Sequence, residues 1–509
     1  FFFFQAEDGI RDHCVTGVQT CAFRSRINSL GYFQENFEIE QKEGSAPDRI
    51  VLEANVEDQP TGELQLSAGF SSIESFLLSA SIRERNFRGR GQTVGASVNW
   101  SRFSRSFGVN FTEPYVFDRN ISAGLDLYRR DFSSFNFTNN DRNTTFEQAT
   151  TGGSARLGVP LTEFMSLIAS YTLNYDDISL DENQFFADFD GDGISTCEPL
   201  LAGRFLCDSL GKRTSSIAGL TLNYNSLNSR FRPTRGERVS ITGEYAGLGG
   251  SVNYARIRGN AAKYWSVLNG FIFSLSAEGG YIKGFEDRAG EGVDDVRLTD
   301  RFFLGEPQIR GFDIRGVGPR VLRFTNVDLT DPATPVVVTD GGRRNGVIDD
   351  AIGGRAYYLG RAEIEIPLGS GAKELGLRPS IFADVGSVFG VRRPNLTTLE
   401  DFRDPTDGNV KNLCLTNTGQ TFATNTLEDP ANPGTFVTLP EFNNCDGARS
   451  IRPFEERFVG DTWKPRVSVG FGVNWNSPFG PFRIDIAKAL ITQEGDDTKL
   501  ITFNVGTQF

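Results

Sequence analysis

Apolar and polar residues alternate with a period of two along most of this chain. Leu64, Leu66, Ala68 and Phe70 share one parity, with Glu63, Gln65, Ser67 and Gly69 on the other. Phe76, Leu78, Ala80 and Ile82 repeat the pattern, as do Val94, Ala96, Val98 and Trp100. Phe107, Val109 and Phe111 continue it, followed by Ile121, Ala123, Leu125 and Leu127. Further on, Val467, Val469, Phe471, Val473 and Trp475 alternate with small or polar partners. Phe482, Ile484 and Ile486 alternate with Arg483, Asp485 and Ala487, and the chain closes on Ile501, Phe503, Val505 and Phe509. Such alternation is the signature of strands with two unlike faces.

The pattern predicts about sixteen strands. Their approximate starts are Glu63, Phe76, Gln92, Ser106, Asn120, Thr144, Glu163, Thr214, Glu237, Val252, Gly270, Arg355, Gly376, Arg466, Pro481 and Lys499. A soluble β-sandwich alternates too, but here the connections are asymmetric. Those after even-numbered strands are mostly short: Asn86–Gly91, Glu113–Arg119, Val159–Thr162 and Ser477–Gly480. Some after odd-numbered strands are long: Asp177–Arg213, Phe285–Gly354 and Val391–Pro465. Short turns on one rim, long loops on the other and an even strand count are the marks of a bacterial membrane barrel. The expected fold is therefore all-β, a roughly 16-stranded antiparallel transmembrane β-barrel over 62–509. Ahead of it, in 24–61, Ile27, Leu30 and Phe33 predict a short helix. Phe37–Lys42 and Arg49–Val56 read as two strands, the tail of a small α/β module.

Composition sharpens this picture. Among 509 residues, 56 are Gly and 44 Phe, while Met and His occur once each. Small residues suit close strand packing and aromatics suit a lipid-facing wall. No segment approaches the ~20 consecutive apolar residues of a membrane-spanning helix, so spanning requires a closed barrel. A formal net charge of -13 argues against nucleic acid as partner. The only histidine, His13, lies in Phe1 to about Phe23, a stretch resembling translated sequencing-adapter read-through. On that reading 1–23 is a non-native tail, the native N-terminal part is missing, and no histidine-dependent active site exists. No secretory signal is visible.

Beyond that tail, Cys197 and Cys207 fall in one long loop and Cys414 and Cys445 in another. Cysteines in loops of an exported protein are expected to pair, here within each loop; zinc is less favoured, without CxxC spacing or a nearby histidine. Asp188, Asp190 and Asp192 lie in DFDGDG, the first half of a calcium-loop pattern. Its twelfth position is Pro199 rather than glutamate, which excludes a full EF-hand loop. A solvated acidic loop is the default reading, with calcium the alternative.

Several motifs, in order, resemble the BamA outer-membrane assembly-factor family over nearly all of Arg24–Phe509. DRIVLEANVEDQPTGELQLSAGFSS resembles that family's junction between its last periplasmic POTRA repeat and the first barrel strand. NFRGRGQ and FTEPYVFD resemble its first two periplasmic turns. QIRGFDIRGVGP resembles the motif of its sixth extracellular loop, and SPFGPFRIDIAKAL its penultimate hairpin. The resemblance implies folding and insertion of barrel proteins into the bacterial outer membrane, with no covalent chemistry and no cofactor. It also implies outer-membrane lipid, unfolded β-barrel clients and assembly-complex lipoproteins as partners, with the POTRA side in the periplasm. Alternatives are a TamA-type or two-partner-secretion translocation barrel of the same superfamily, or a passive porin.

Two sites follow from the resemblance. Ile309, Arg310, Gly311 and Phe312 form the loop motif, whose arginine enters the lumen to meet wall carboxylates. Glu363, Glu365 and Asp384 all lie on the inward parity of their strands; Glu363 aligns best, and Arg315 repeats the IRG triplet as a decoy. The second site is a lateral seam between first and last strands, involving Leu64, Leu66, Gly506 and Phe509. Gly506 is placed where the family's last strand kinks.

Overall fold

The computed structural model describes Ile27 and residues 32–505 apart from internal stretches, the longest being 44–49, 329–335, 338–346, 369–375, 404–409, 429–435 and 439–448. The alternating segments form sixteen wall strands. They are β1 (Gly62–Ser71), β2 (Ser75–Phe87), β3 (Gln92–Ser101), β4 (Ser104–Glu113), β5 (Ser122–Thr138), β6 (Asp141–Pro160), β7 (Met165–Ser179) and β8 (Gly211–Asn225). β9 (Gly236–Gly250), β10 (Tyr254–Ser266), β11 (Ile272–Gly284), β12 (Ala356–Glu365), β13 (Leu377–Phe389), β14 (Arg466–Ser477), β15 (Gly480–Ile491) and β16 (Ile501–Val505) complete them. Each pairs antiparallel with its sequence neighbour, and β16 returns to β1, closing the barrel. Every expected strand start falls within three residues of the observed one.

Parity decides which face each side chain takes. Leu64, Leu66, Ile82, Leu125 and Leu127 stand exposed on the outside. Their neighbours turn inward and pair: Arg156 with Asp126 at 2.9 Å, Arg256 with Glu244 at 2.6 Å, and Thr221 with Thr242 at 3.0 Å. An apolar outside around a polar inside inverts the arrangement of a soluble domain and suits a lipid surround. Near the short-turn rim Trp265 stacks on Phe273 at 5.3 Å, and Trp475 packs on Phe482 at 5.2 Å. Among the described residues no helix is long and apolar enough to cross a membrane. The turn joining β2 to β3 shows why its sequence bends: Gly89 donates to the Asn86 carbonyl at 2.9 Å, and the Asn86 side chain accepts from Gly91 at 2.8 Å.

The opposite rim is capped by the long connections. Arg320–Phe324 pairs on one side with Val347–Ala351 and on the other with Glu455–Val459. Val347–Ala351 also joins the end of β5. Short helices Glu182–Phe185, Pro199–Ala202 and Arg204–Cys207 pack beneath, around an apolar cluster that includes Leu206, Leu298, Val321 and Ile352. Before the barrel, Glu38–Glu43 and Ile50–Asn55 form the expected strand pair. Phe33 corrects the helical expectation: it bridges to Asp58 in extended backbone, while Ile27 is helical. Phe1 to Phe23, Leu30, Gly506 and Phe509 lie outside the described residues.

Candidate functional site

The connection between β11 and β12 does not stay on the rim. Its 302–318 stretch descends into the lumen, where Ile309 and Phe312 are completely buried. Gly311 sits at φ +86, and a Cβ there would come within 3.1 Å of the Ser468 Cβ and 3.3 Å of the Ala487 Cβ. Only glycine fits this left-handed backbone against the wall. The turn presents Arg310 to β12 and β13. On β12, Ile364 points outward and Glu363 inward; on β13, Ile381 points outward and Asp384 inward.

Arg310 closes a two-carboxylate clamp. Its Nε and Nη2 donate to Asp384 Oδ2 and Oδ1 at 2.8 and 2.6 Å, the bidentate fork geometry. Its Nη1 donates to Glu363 Oε2 at 2.8 Å, and its backbone N–H reaches Asp384 at 3.1 Å. The guanidinium lies 3.3 Å above the Phe382 ring. Ser380 donates to the other Glu363 oxygen at 2.6 Å, and Arg483 stands 3.8 Å from the same carboxylate. Burial disfavours the charge on Arg310, but the hydrogen bond and charge of Asp384, joined by Glu363, outweigh it and push its pKa upward. The guanidinium stays charged, and its Nε, Nη1 and Nη2 each donate to a wall carboxylate, fixing the loop.

Glu365 departs from expectation. Two residues further along β12, it is out of reach of the clamp and instead pairs with Arg232 at 2.8 Å and Arg378 at 3.9 Å. Arg315, despite its IRG repeat, donates to Ser134 at 2.6 Å and lies over the Phe303 ring at 4.4 Å. The seam residues divide. Leu64 and Leu66 are among the most exposed apolar side chains, on the outer face of β1. β1 and β16 pair at only two described positions, Phe70 with Val505 and Ser71 with Asn504. Cys197 and Cys207 form a disulfide, with Cα atoms 5.7 Å apart. Cys414 is also disulfide-bonded, while Cys445 lies outside the described residues. Asp188 accepts from the Gly193 N–H at 3.0 Å; Asp190 and Asp192 lie outside the described residues. Among the described residues, no three His, Cys, Asp or Glu side chains are grouped to hold a metal.

Sequence reasoning missed the ion pairs that hold the cap. Arg213 pairs with Asp176 at 3.1 Å and Asp300 at 2.7 Å. Arg323 pairs with Glu456 at 2.6 Å and donates to the carbonyls of Leu200 and Leu201, joining three loops. Inward parity marks Asp176 as a lumen carboxylate; the loop residues carry no such periodic mark.

The fold and the clamp together define a membrane-spanning antiparallel barrel whose long loop is pinned inside its own lumen by an arginine. The model of the Omp85 superfamily domain matches residues 86–509, and the chain belongs to that superfamily. It is 27% identical over 487 residues to the outer membrane protein assembly factor BamA of Neorickettsia risticii, covering 96% of this chain and 50% of that protein. It is 23% identical over 502 residues to the same-named factor of Neisseria meningitidis, covering 96% and 52%. The chain thus spans about half the length of the curated relatives it matches. In structure it is similar to Haemophilus ducreyi BamA lacking POTRA domains 1–3, with a TM-score of 0.63 at 19% identity, covering 96% of this chain and 78% of that one. These findings make it an outer-membrane β-barrel.

Proposed function

We propose that this barrel folds and inserts other β-barrel proteins into the bacterial outer membrane, by letting a client strand pair at the seam between β1 and β16. One observation carries the reading: β1 and β16 are the first and last strands of the wall, and they meet at Phe70–Val505 and Ser71–Asn504 to close it. Unpaired edge backbone is a template for another strand, and such strand addition needs no covalent chemistry and no cofactor. The named assembly factors among its relatives support the same role. On this reading the strand pair ahead of β1 is the end of a POTRA repeat in the periplasm, on the short-turn side, and the cap faces outward. Unfolded barrel clients, outer-membrane lipid and the lipoproteins of an assembly complex are its partners.

The test is to close the seam covalently. Ser71→Cys with Asn504→Cys places cysteines at register partners. In the full-length protein with its accessory subunits, the oxidised pair should stop insertion of a test barrel protein into liposomes. Reductant should restore insertion while leaving the unmodified protein's rate unchanged. Full insertion through the locked seam overturns the proposal.

A further inference from the structure

Residues 492–500 connect β15 to the last strand, and 497–499 among them lie against the pinned loop. Asp313 donates its backbone N–H to the Asp497 carbonyl at 3.0 Å, Asp497 to the Gly316 carbonyl at 2.8 Å, and Lys499 to the Gly311 carbonyl at 3.2 Å. Phe312 and Thr498 form an antiparallel bridge. The Arg310 motif therefore acts as a short strand alongside the chain that leads into β16. Side chains reinforce it. Lys499 Nζ lies 2.8 Å from Glu306 Oε2 and 3.6 Å from Asp313 Oδ1, with the Glu306 carboxylate buried. On the far side of the same connection, Arg466 pairs with Asp496 at 3.1 Å, both fully buried. Arg320 donates to the Gly495 carbonyl at 2.6 Å.

This matters because of where β16 begins. Ile501, Thr502 and Phe503 pair with β15 on one side, directly after 497–499, and lead into the described pairs with β1 at Asn504 and Val505. Their position is set by β15 and by the chain immediately before them. We propose that the 311–316 and 497–499 backbone pairing, locked by Lys499 on Glu306, is a clasp that couples the lumen loop to the seam. Lys499 is its positioning residue. Arg310 fixes the loop to the wall, the loop fixes 497–499, and 497–499 fixes the register at which β16 meets β1. Release of the clasp lets β16 move away from β1 while β15 stays in the wall. That this movement governs client entry rests on the seam reading above; the coupling itself does not.

The experiment therefore reads the seam without a client. In the full-length protein carrying Ser71→Cys and Asn504→Cys, the yield of seam disulfide under mild oxidant reports how often the register is occupied. Lys499→Met keeps the aliphatic stem, removes the charge and leaves the buried Glu306 carboxylate without its ammonium. It should lower the yield severalfold, and Lys499→Arg should retain most of it. A cysteine pair at Leu64 and Ile82, register partners within β1 and β2, serves as control and should form equally in all variants. If Lys499→Met does not assemble, Glu306→Gln weakens the same contact at constant size and decides by the same yields. An unchanged or raised seam yield overturns the clasp. A lowered yield alongside normal client insertion keeps the clasp and overturns the seam as the route of insertion.

Discussion

Arg310 is held by a network in which every partner is buried or half-buried, and removing the cation does more than delete three hydrogen bonds. Arg310→Ala leaves Asp384, fully buried, without its bidentate guanidinium, and leaves Glu363 to Ser380 and the more distant Arg483. Breaking a buried pair from one side costs about 3 to 5 kcal/mol. The expected outcome is a loop that proteases cleave at least tenfold faster, in a barrel that still resists heating in detergent. Arg310→Lys should recover only part of the protection, because an ammonium cannot make the two parallel bonds to Asp384. Asp294 supplies the pH counterpart. It accepts from Val296 N at 2.8 Å and Arg392 N at 2.7 Å, and pairs with Arg355 at 2.9 Å, tying the loops after β11 and β13 to the start of β12. Burial works to raise its pKa, but the Arg301 charge, the two amides and Arg355 overrule it, leaving it below the ordinary 3.8. A carboxylate lowered in this way stabilises the fold above its unfolded value, and that contribution is lost as pH falls through the folded one. Loop proteolysis by an acid-tolerant protease should therefore accelerate below about pH 4. Asp294→Asn should start loose at neutral pH and lose much of that dependence. The clamp itself was legible in sequence, because parity placed Glu363 and Asp384 inward and the loop motif supplied the arginine. Glu365 shared the parity but not the height: periodicity tells which face a residue takes, not which level of the lumen it reaches.

Strands and loops differ in what their sequence reveals. A wall strand must present alternate residues to two different solvents, so its position is written residue by residue, and all sixteen starts were readable to within three positions. The cap has no such constraint. Arg320–Phe324, buried on every residue, shows no alternation at all, and its pairing with Glu455–Val459 joins segments more than a hundred residues apart. Phe33 failed for a related reason: a three-residue apolar spacing is weak evidence for a helix when a strand partner such as Asp58 is available. The Cys197–Cys207 disulfide belongs to this irregular layer, where it brackets the Pro199–Ala202 and Arg204–Cys207 helices. Closing so short a loop contributes about 2 to 4 kcal/mol to what it encloses. Cys197→Ser should speed hydrogen exchange over 182–210 and leave exchange in β8 and β9 unchanged, since their ladder does not depend on it. Acceleration throughout the barrel would show that the loop supports the wall.

At the scale of the molecule, a wall of long ladders is covered at one end. The cover is held by Arg213, Arg323 and Arg466, whose partners Asp176, Glu456 and Asp496 are as deeply buried as they are. Pairs such as Lys263 with Glu237 lie exposed on the wall. The two kinds respond differently to dissolved ions. At an ionic strength of 0.1 M the screening length is about 10 Å in water, but ions that cannot enter a buried contact weaken it little. Raising salt from about 0.05 to 1 M should therefore leave loop proteolysis almost unchanged, in contrast to the effect of acid. Severalfold faster cleavage in high salt would mean that exposed pairs hold the cover. In the orientation proposed above, the cover meets whatever salinity the cell's surroundings impose, with no cytoplasm to buffer it. A lid fastened by charges that ions cannot reach stays shut from fresh water to brine.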